Sequence, residues 1–163
     1  MTDTASTTGS STASGTWTAP GQDWAATGST YLTGQYEPVH DERDDHDLEV
    51  VGELPAGLAG AYLRNGGNPY FAPAGDYHVF DGDGMVHGVR LDGEGNASYS
   101  NRWVRSRGLQ HERSKGQAVY GGLADFRMPD AEALEAGGLF KNTANTNIIR
   151  HGGRHLALME AAQ

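Results

Sequence analysis

The stretch from Tyr77 to Leu91 constrains this chain most: Tyr-His-Val-Phe-Asp-Gly-Asp-Gly-Met-Val-His-Gly-Val-Arg-Leu. Asp81-Gly82-Asp83-Gly84 interrupts two apolar runs. Asp-Gly at such a break signals a β-hairpin, because glycine takes positive φ without a Cβ clash. After the break, Met85, His87, Val89 and Leu91 alternate with Val86, Gly88 and Arg90. Period-two alternation puts the first set on one strand face, turned toward a core. The pattern predicts Tyr77–Phe80 and Met85–Leu91 as the two arms of a hairpin. Asp92–Asn96 then turns into a returning strand, Ala97–Arg105, completing a three-stranded meander. Short strands are also expected at Leu48–Val51 and Gly60–Leu63. A last hairpin, Thr146–His151 with Arg154–Glu160, is expected around Gly152-Gly153. Arg64–Pro73 and Arg105–Gln117 read as loops. Pro129–Ala136 reads as one or two helical turns, with proline suited to the start and Gly137 to the end. Glycine supplies 24 of 163 residues, which fits many short strands joined by turns.

Charge and composition exclude several classes. A net charge of −9 is the wrong sign for a nucleic-acid footprint. With no cysteine there is no disulfide framework and no thiolate metal site. No apolar run approaches the ~18 residues of a membrane span. The first residues lack a basic region followed by an apolar core, so no secretory signal is expected and a cytoplasmic protein is. Membrane contact stays open. Residues 1–35 read as a disordered low-complexity tail, too poor in apolar side chains to bury, with Trp17 and Trp24 as exceptions.

Each candidate site has a plainer reading beside it. His40–Asp47 mixes two histidines with carboxylates, but nothing in it fixes ligand geometry, so it reads as a solvated acidic loop. Asp81–Gly84 fails as a calcium loop: counted from Asp81, the fifth, sixth and twelfth positions are Met85, Val86 and Asp92. Gly82, Gly84 and Gly88 fail the dinucleotide spacing, and no helix pattern follows. His87, alone on an apolar face, reads as a hydrogen-bonded core histidine rather than a ligand. His151 and His155 flank a two-residue turn, where 151 pairs with 154 and 150 with 155. Their rings then point to opposite faces and cannot share an ion. Glu160 continues the side of the hairpin that carries Ile149, Leu156 and Leu158, where a carboxylate is costly unless something pairs with it.

Tyr62-Leu63-Arg64-Asn65-Gly66-Gly67-Asn68-Pro69 followed by Phe80-Asp81-Gly82-Asp83-Gly84-Met85 resembles the N-terminal part of the carotenoid cleavage oxygenases, a family of non-haem iron enzymes on a seven-bladed β-propeller. Asp47–Pro55 with Gly57-Leu58, Asn101–Arg105, and Lys141–Asn147 through Leu156–Glu160 are similar in the same order. The resemblance covers about Tyr36 to Glu160. It implies an all-β fold, with residues 36–163 as the truncated N-terminal part of the propeller. At about 40–50 residues per blade, that is some three blades' worth. It also implies an Fe(II) dioxygenase that uses O2 to cleave a C=C bond of a lipophilic polyene, a carotenoid or apocarotenoid, or of a stilbene. The four iron-binding histidines are expected beyond Gln163. The expectation for this chain is therefore no bound iron, no catalytic or metal-ligating residue, and an inert fragment. By the same resemblance, Glu160 accepts a hydrogen bond from the outer nitrogen of an iron-bound histidine.

Overall fold

A computed structural model describes Trp17 and residues 19–160. Its main element is an antiparallel sheet of β1 (Asp44–Asp45), β2 (Ala59–Gly67), β3 (Gly84–Asp92) and β4 (Ala97–Trp103), in the order β1-β4-β3-β2. β2, β3 and β4 form an up-and-down meander, and β1, from earlier in the chain, pairs along the outer edge of β4. The β3–β4 turn is the expected one. Asp92 Oδ1 accepts the amides of Glu94 at 2.7 Å and Asn96 at 3.0 Å, while Gly93 and Gly95 take positive φ.

The first arm of the meander is not the one the sequence pattern predicts. Tyr77–Phe80 pairs with no strand, and Val79–Asp81 is a 3-10 turn. His78 Nδ1 accepts the Phe80 amide, and Asp81 Oδ2 accepts the His78 amide at 3.0 Å. The Asp81 carboxylate thus closes a cap, and Gly82 sits at φ −67°, without the positive φ of a hairpin turn. The partner of β3 is β2, which extends the expected Gly60–Leu63 strand through Arg64–Gly67, part of an expected loop. Leu48–Val51 forms no strand. Its one ladder-like bond runs from the Leu48 amide to the Ala97 carbonyl, and Val51 is 92% exposed.

The all-β expectation holds in part. The regular structure is mainly antiparallel sheet, but it includes two short helices: α1 (Arg107–Lys115) and α2 (Ala131–Gly137). α1 replaces the polar loop expected at Arg105–Gln117. Ser106 Oγ accepts the Leu109 amide at its start, and Gly116 ends it at φ 72°. α2 lies where helical turns were expected, but Pro129 precedes the cap instead of opening the helix, and Gly138 at φ 83°, not Gly137, ends it; Asp130 Oδ1 caps the start by accepting the Ala133 amide at 2.8 Å. The last hairpin, β5 (Asn147–His151) and β6 (Arg154–Leu158), has the predicted register: Arg150 opposite His155, His151 opposite Arg154.

The core lies where β3 begins and β4 ends. Met85, Trp103 and Leu109 are buried together with Tyr70 and Phe71. Trp103 donates Nε1–H to the Asn68 carbonyl at 2.9 Å, and the Tyr70 ring meets both Trp103 and Phe71 edge-on at 4.9 Å. The described part of the expected tail is not free. Trp17 packs into this core with the Arg105 and Arg113 guanidiniums over its ring system, 4.3 and 3.4 Å from a ring centroid. Trp24 and Leu32 pack with Tyr77 in a second cluster. Backbone bonds Ala19 N–H to His40 O and Glu42 N–H to Trp17 O hold the segment down. A few large side chains with prepared cavities therefore outweigh the polar composition around them. Residues 1–16 and 18 lie outside the described residues.

Gly84 marks the tightest approach in this region. A Cβ there meets the Ala144 carbonyl oxygen at 2.3 Å, while the Gly84 amide donates to Thr143 O at 2.7 Å. Gly84→Ala is expected to destabilise the chain by at least the roughly 1–3 kcal/mol of an overpacked core, read as a lower midpoint in denaturant. An unchanged midpoint contradicts this packing.

Candidate functional site

Between α2 and β5 the chain runs through residues 139–146 without regular structure, yet Thr143, Ala144 and Asn145 are buried. Buried irregular backbone has to find partners for its polar groups, and here the partners come from the entrance to β3. Gly84 N–H donates to Thr143 O. Asn145 Nδ2 donates to Phe80 O at 2.8 Å and Gly82 O at 2.7 Å. From β2, Asn65 Nδ2 donates to Ala144 O at 2.7 Å and Asn147 O at 3.0 Å. Ala144 is held at φ 49°, in the left-handed region, and the Asn142 side chain accepts its amide.

At the head of this segment, Lys141 enters the protein between two buried carboxylates. Its Nζ lies 2.9 Å from Asp83 Oδ1 and 2.7 Å from Glu112 Oε2. The remaining oxygens are occupied too. Asp83 Oδ2 accepts the Tyr70 amide at 3.1 Å, and Glu112 Oε1 accepts the amides of Val119 and Tyr120. Burial alone would push the Lys141 ammonium down, but the Asp83 and Glu112 charges outweigh it and hold its pKa above the usual lysine value. Burial, with Asp83 and Asp81 close by, also drives the Tyr77 hydroxyl well above its ordinary range, so it stays neutral.

This ionic group floors a cavity of about 570 Å³ whose walls include Phe71, Tyr77, Phe80, Tyr120, Phe140 and Met159. Aromatic walls with a few convergent polar groups are the usual make-up of a site for an apolar ligand. Thr146 and Glu160 lie on the same cavity. Glu160 is exposed, and its Oε2 accepts the Thr146 hydroxyl at 2.8 Å across the hairpin. Oε1 faces no donor among the described residues.

The other candidates are dispersed. His87 is half-buried, with Nδ1 2.7 Å from the Tyr99 hydroxyl and Arg64 opposite it in the ladder. His151 and His155 are exposed and, by register, on opposite faces. Asp81 serves as a cap, and its Oδ1 accepts the Leu123 amide at 2.8 Å. In the acidic loop, Arg102 grips Asp44, and Arg43 pairs with Asp45. Among the described residues no group of three or more His, Asp or Glu can hold a metal ion. The donor set therefore does not fit an iron ion's inner ligands. Sequence reading singled out Glu160 but missed Lys141, Glu112 and Thr146. The signal for Lys141 was a lone cation inside an otherwise uncharged stretch, Leu139–Asn147.

The profile of the retinal pigment epithelial membrane protein family matches residues 36–163. A chloroplastic 9-cis-epoxycarotenoid dioxygenase of Arabidopsis thaliana is 36% identical over 142 residues, covering 79% of this chain and 25% of the relative. A carotenoid cleavage oxygenase of Mycobacterium tuberculosis is 41% identical over 133 residues, covering 80% and 24%. Among solved structures, Pseudomonas brassicacearum lignostilbene dioxygenase superposes with a TM-score of 0.70 at 32% identity, covering 82% of this chain and 27% of that one. Cobalt-substituted Synechocystis apocarotenoid oxygenase gives 0.61 at 34% identity, covering 75% and 26%. The chain belongs to the retinal pigment epithelial membrane protein family, the carotenoid oxygenases. It spans about a quarter of the length of the relatives it matches. No helix among its described residues is long and apolar enough to cross a membrane.

His87 generates a pH prediction. Burial first, and Arg64 second, hold its pKa below the ordinary histidine value. The unfolded chain then takes up the proton before the folded one. Stability is expected to fall as pH drops through about 6.5 toward the folded value. Denaturation midpoints of wild type and His87→Gln between pH 7.5 and 5 test this: the wild type should lose more over that interval. Parallel curves contradict it.

Proposed function

We propose that this chain is the opening part of a non-haem Fe(II) dioxygenase that cleaves a C=C bond of a carotenoid or apocarotenoid to aldehyde or ketone products. On this reading the sheet β1-β4-β3-β2 is one blade of a seven-bladed propeller, its outermost strand drawn from earlier in the chain, and residues 36–163 are the N-terminal part of that domain. The observation that carries the proposal is the Thr146–Glu160 pair at the rim of an aromatic cavity, inside the region that matches the family.

The iron ligands are assigned to the part of the relatives' length that this chain does not span, and the 163 residues alone are proposed to be inactive. Bound ferrous iron would supply the activation of O2. The chain's own residues hold and shield. Thr146 donates to Glu160 Oε2 and fixes the carboxylate plane. Oε1 is left to accept an imidazole N–H, which sets the tautomer and ring orientation of a ligating histidine. Phe80, Tyr77 and Phe140 give a polyene an apolar wall that excludes water. The stilbene alternative rests on the likeness to lignostilbene dioxygenase.

In the full-length enzyme, Glu160→Ala is expected to lower iron retention and turnover about 10–100-fold, the usual cost of losing a metal ligand's outer partner. Metal analysis after gel filtration against a chelator, alongside turnover of an apocarotenoid, measures both. Unchanged iron content and rate would end this assignment.

A further inference from the structure

We infer that Lys141 is a positioning residue: it anchors the strained segment 141–145 as a bracket that aims the Thr146–Glu160 pair into the cavity. The inference rests on the role proposed for Glu160 and goes beyond it, because it assigns the aiming to a residue that touches neither Thr146 nor Glu160.

Three observations converge. First, Ala144 holds a left-handed φ that a side chain resists, and such strain persists only where the surroundings over-determine it. Here they do. Asn142 takes its amide, Asn65 grips its carbonyl, and Gly84 holds the preceding carbonyl. Second, the bracket's first residue is fixed by charge. A buried ion group is weak support for stability, since apolar replacement often serves as well, but breaking it leaves unpaired buried carboxylates. Its distinctive property is directional. Lys141 joins Asp83 at the entrance to β3 with Glu112 on α1, and each carboxylate is itself oriented by backbone amides. Third, Thr146 follows the bracket directly. Its amide pairs with the Leu158 carbonyl, which sets the Thr146 hydroxyl opposite Glu160. A displaced bracket shifts the donor that holds the carboxylate, and oriented groups lose effect over about 1 Å of misplacement.

The test is a double-mutant cycle in the full-length enzyme, reading Fe(II) retention against a chelator and thermal midpoint together. Lys141→Met should lower retention about 10-fold, toward the level of Glu160→Gln. In the Glu160→Gln background the same change should lower retention less than about 2-fold, because the carboxylate it aims is gone. The fall in thermal midpoint should be equal in both backgrounds. Lys141→Arg, which keeps the charge, should restore part of the retention. If Lys141→Met fails to fold, the neutralised triple variant Asp83→Asn, Glu112→Gln, Lys141→Met takes its place in the cycle. Equal retention losses in both backgrounds would overturn the bracket while leaving Glu160's role intact. Unchanged retention in Glu160→Gln alone would overturn that role and the bracket with it.

Discussion

One ammonium between two buried carboxylates ties this structure together. Lys141 comes from a stretch with no regular structure, Glu112 from α1, and Asp83 from the residue before β3. These pieces lie far apart in sequence, and no strand ladder joins them. Directional charge does what β pairing does elsewhere in the chain. Asp83 Oδ1 meets the ammonium as an ion contact, and the other three carboxylate oxygens accept hydrogen bonds, so the group ties together the backbone on all three sides. The Lys141, Asp83 and Glu112 charges on the cavity above are engaged with one another, which leaves its aromatic walls to dominate.

The sheet prepares this arrangement from the other side. Met85 and Trp103 face each other across β3 and β4 and close the core directly behind Gly84. With no side chain, Gly84 lets residues 143 and 144 lie against the strand entrance. A strand that begins on glycine can therefore receive a loop where a ladder would otherwise need another strand. The same economy recurs at Asn65 and Asn145, whose side-chain amides take the carbonyls that sheet neighbours would have taken.

The strands were legible in the sequence to the extent that their faces alternate. β3, β4 and the β5–β6 hairpin follow from period two and from the turns at Asp92–Asn96 and Gly152-Gly153. The partner of β3 did not follow. Asp81-Gly82 has a hairpin's composition, but the Asp81 carboxylate is bound locally to the His78 and Leu123 amides, and that choice depends on a loop forty residues away. α1 was invisible to hydropathy because its buried face is Gly108, Leu109, His111 and Glu112, only one of them strongly apolar. Its end signals, Ser106 and Gly116, were present. Glu160 stood out as a carboxylate on an apolar side, and the family resemblance gave it a role. Lys141, Glu112 and Asp83 left no shared local signal, since tertiary contact alone brings them together.

If the 141–146 segment is locked to the sheet as described, its bonds should behave like strand bonds. Amide hydrogen exchange at Gly84, whose partner is Thr143 O, is the direct measurement. It should be protected to the degree of the β3–β4 ladder amides, opening only with the sheet. Exchange at the rate of an exposed loop amide such as Val51 would contradict the account.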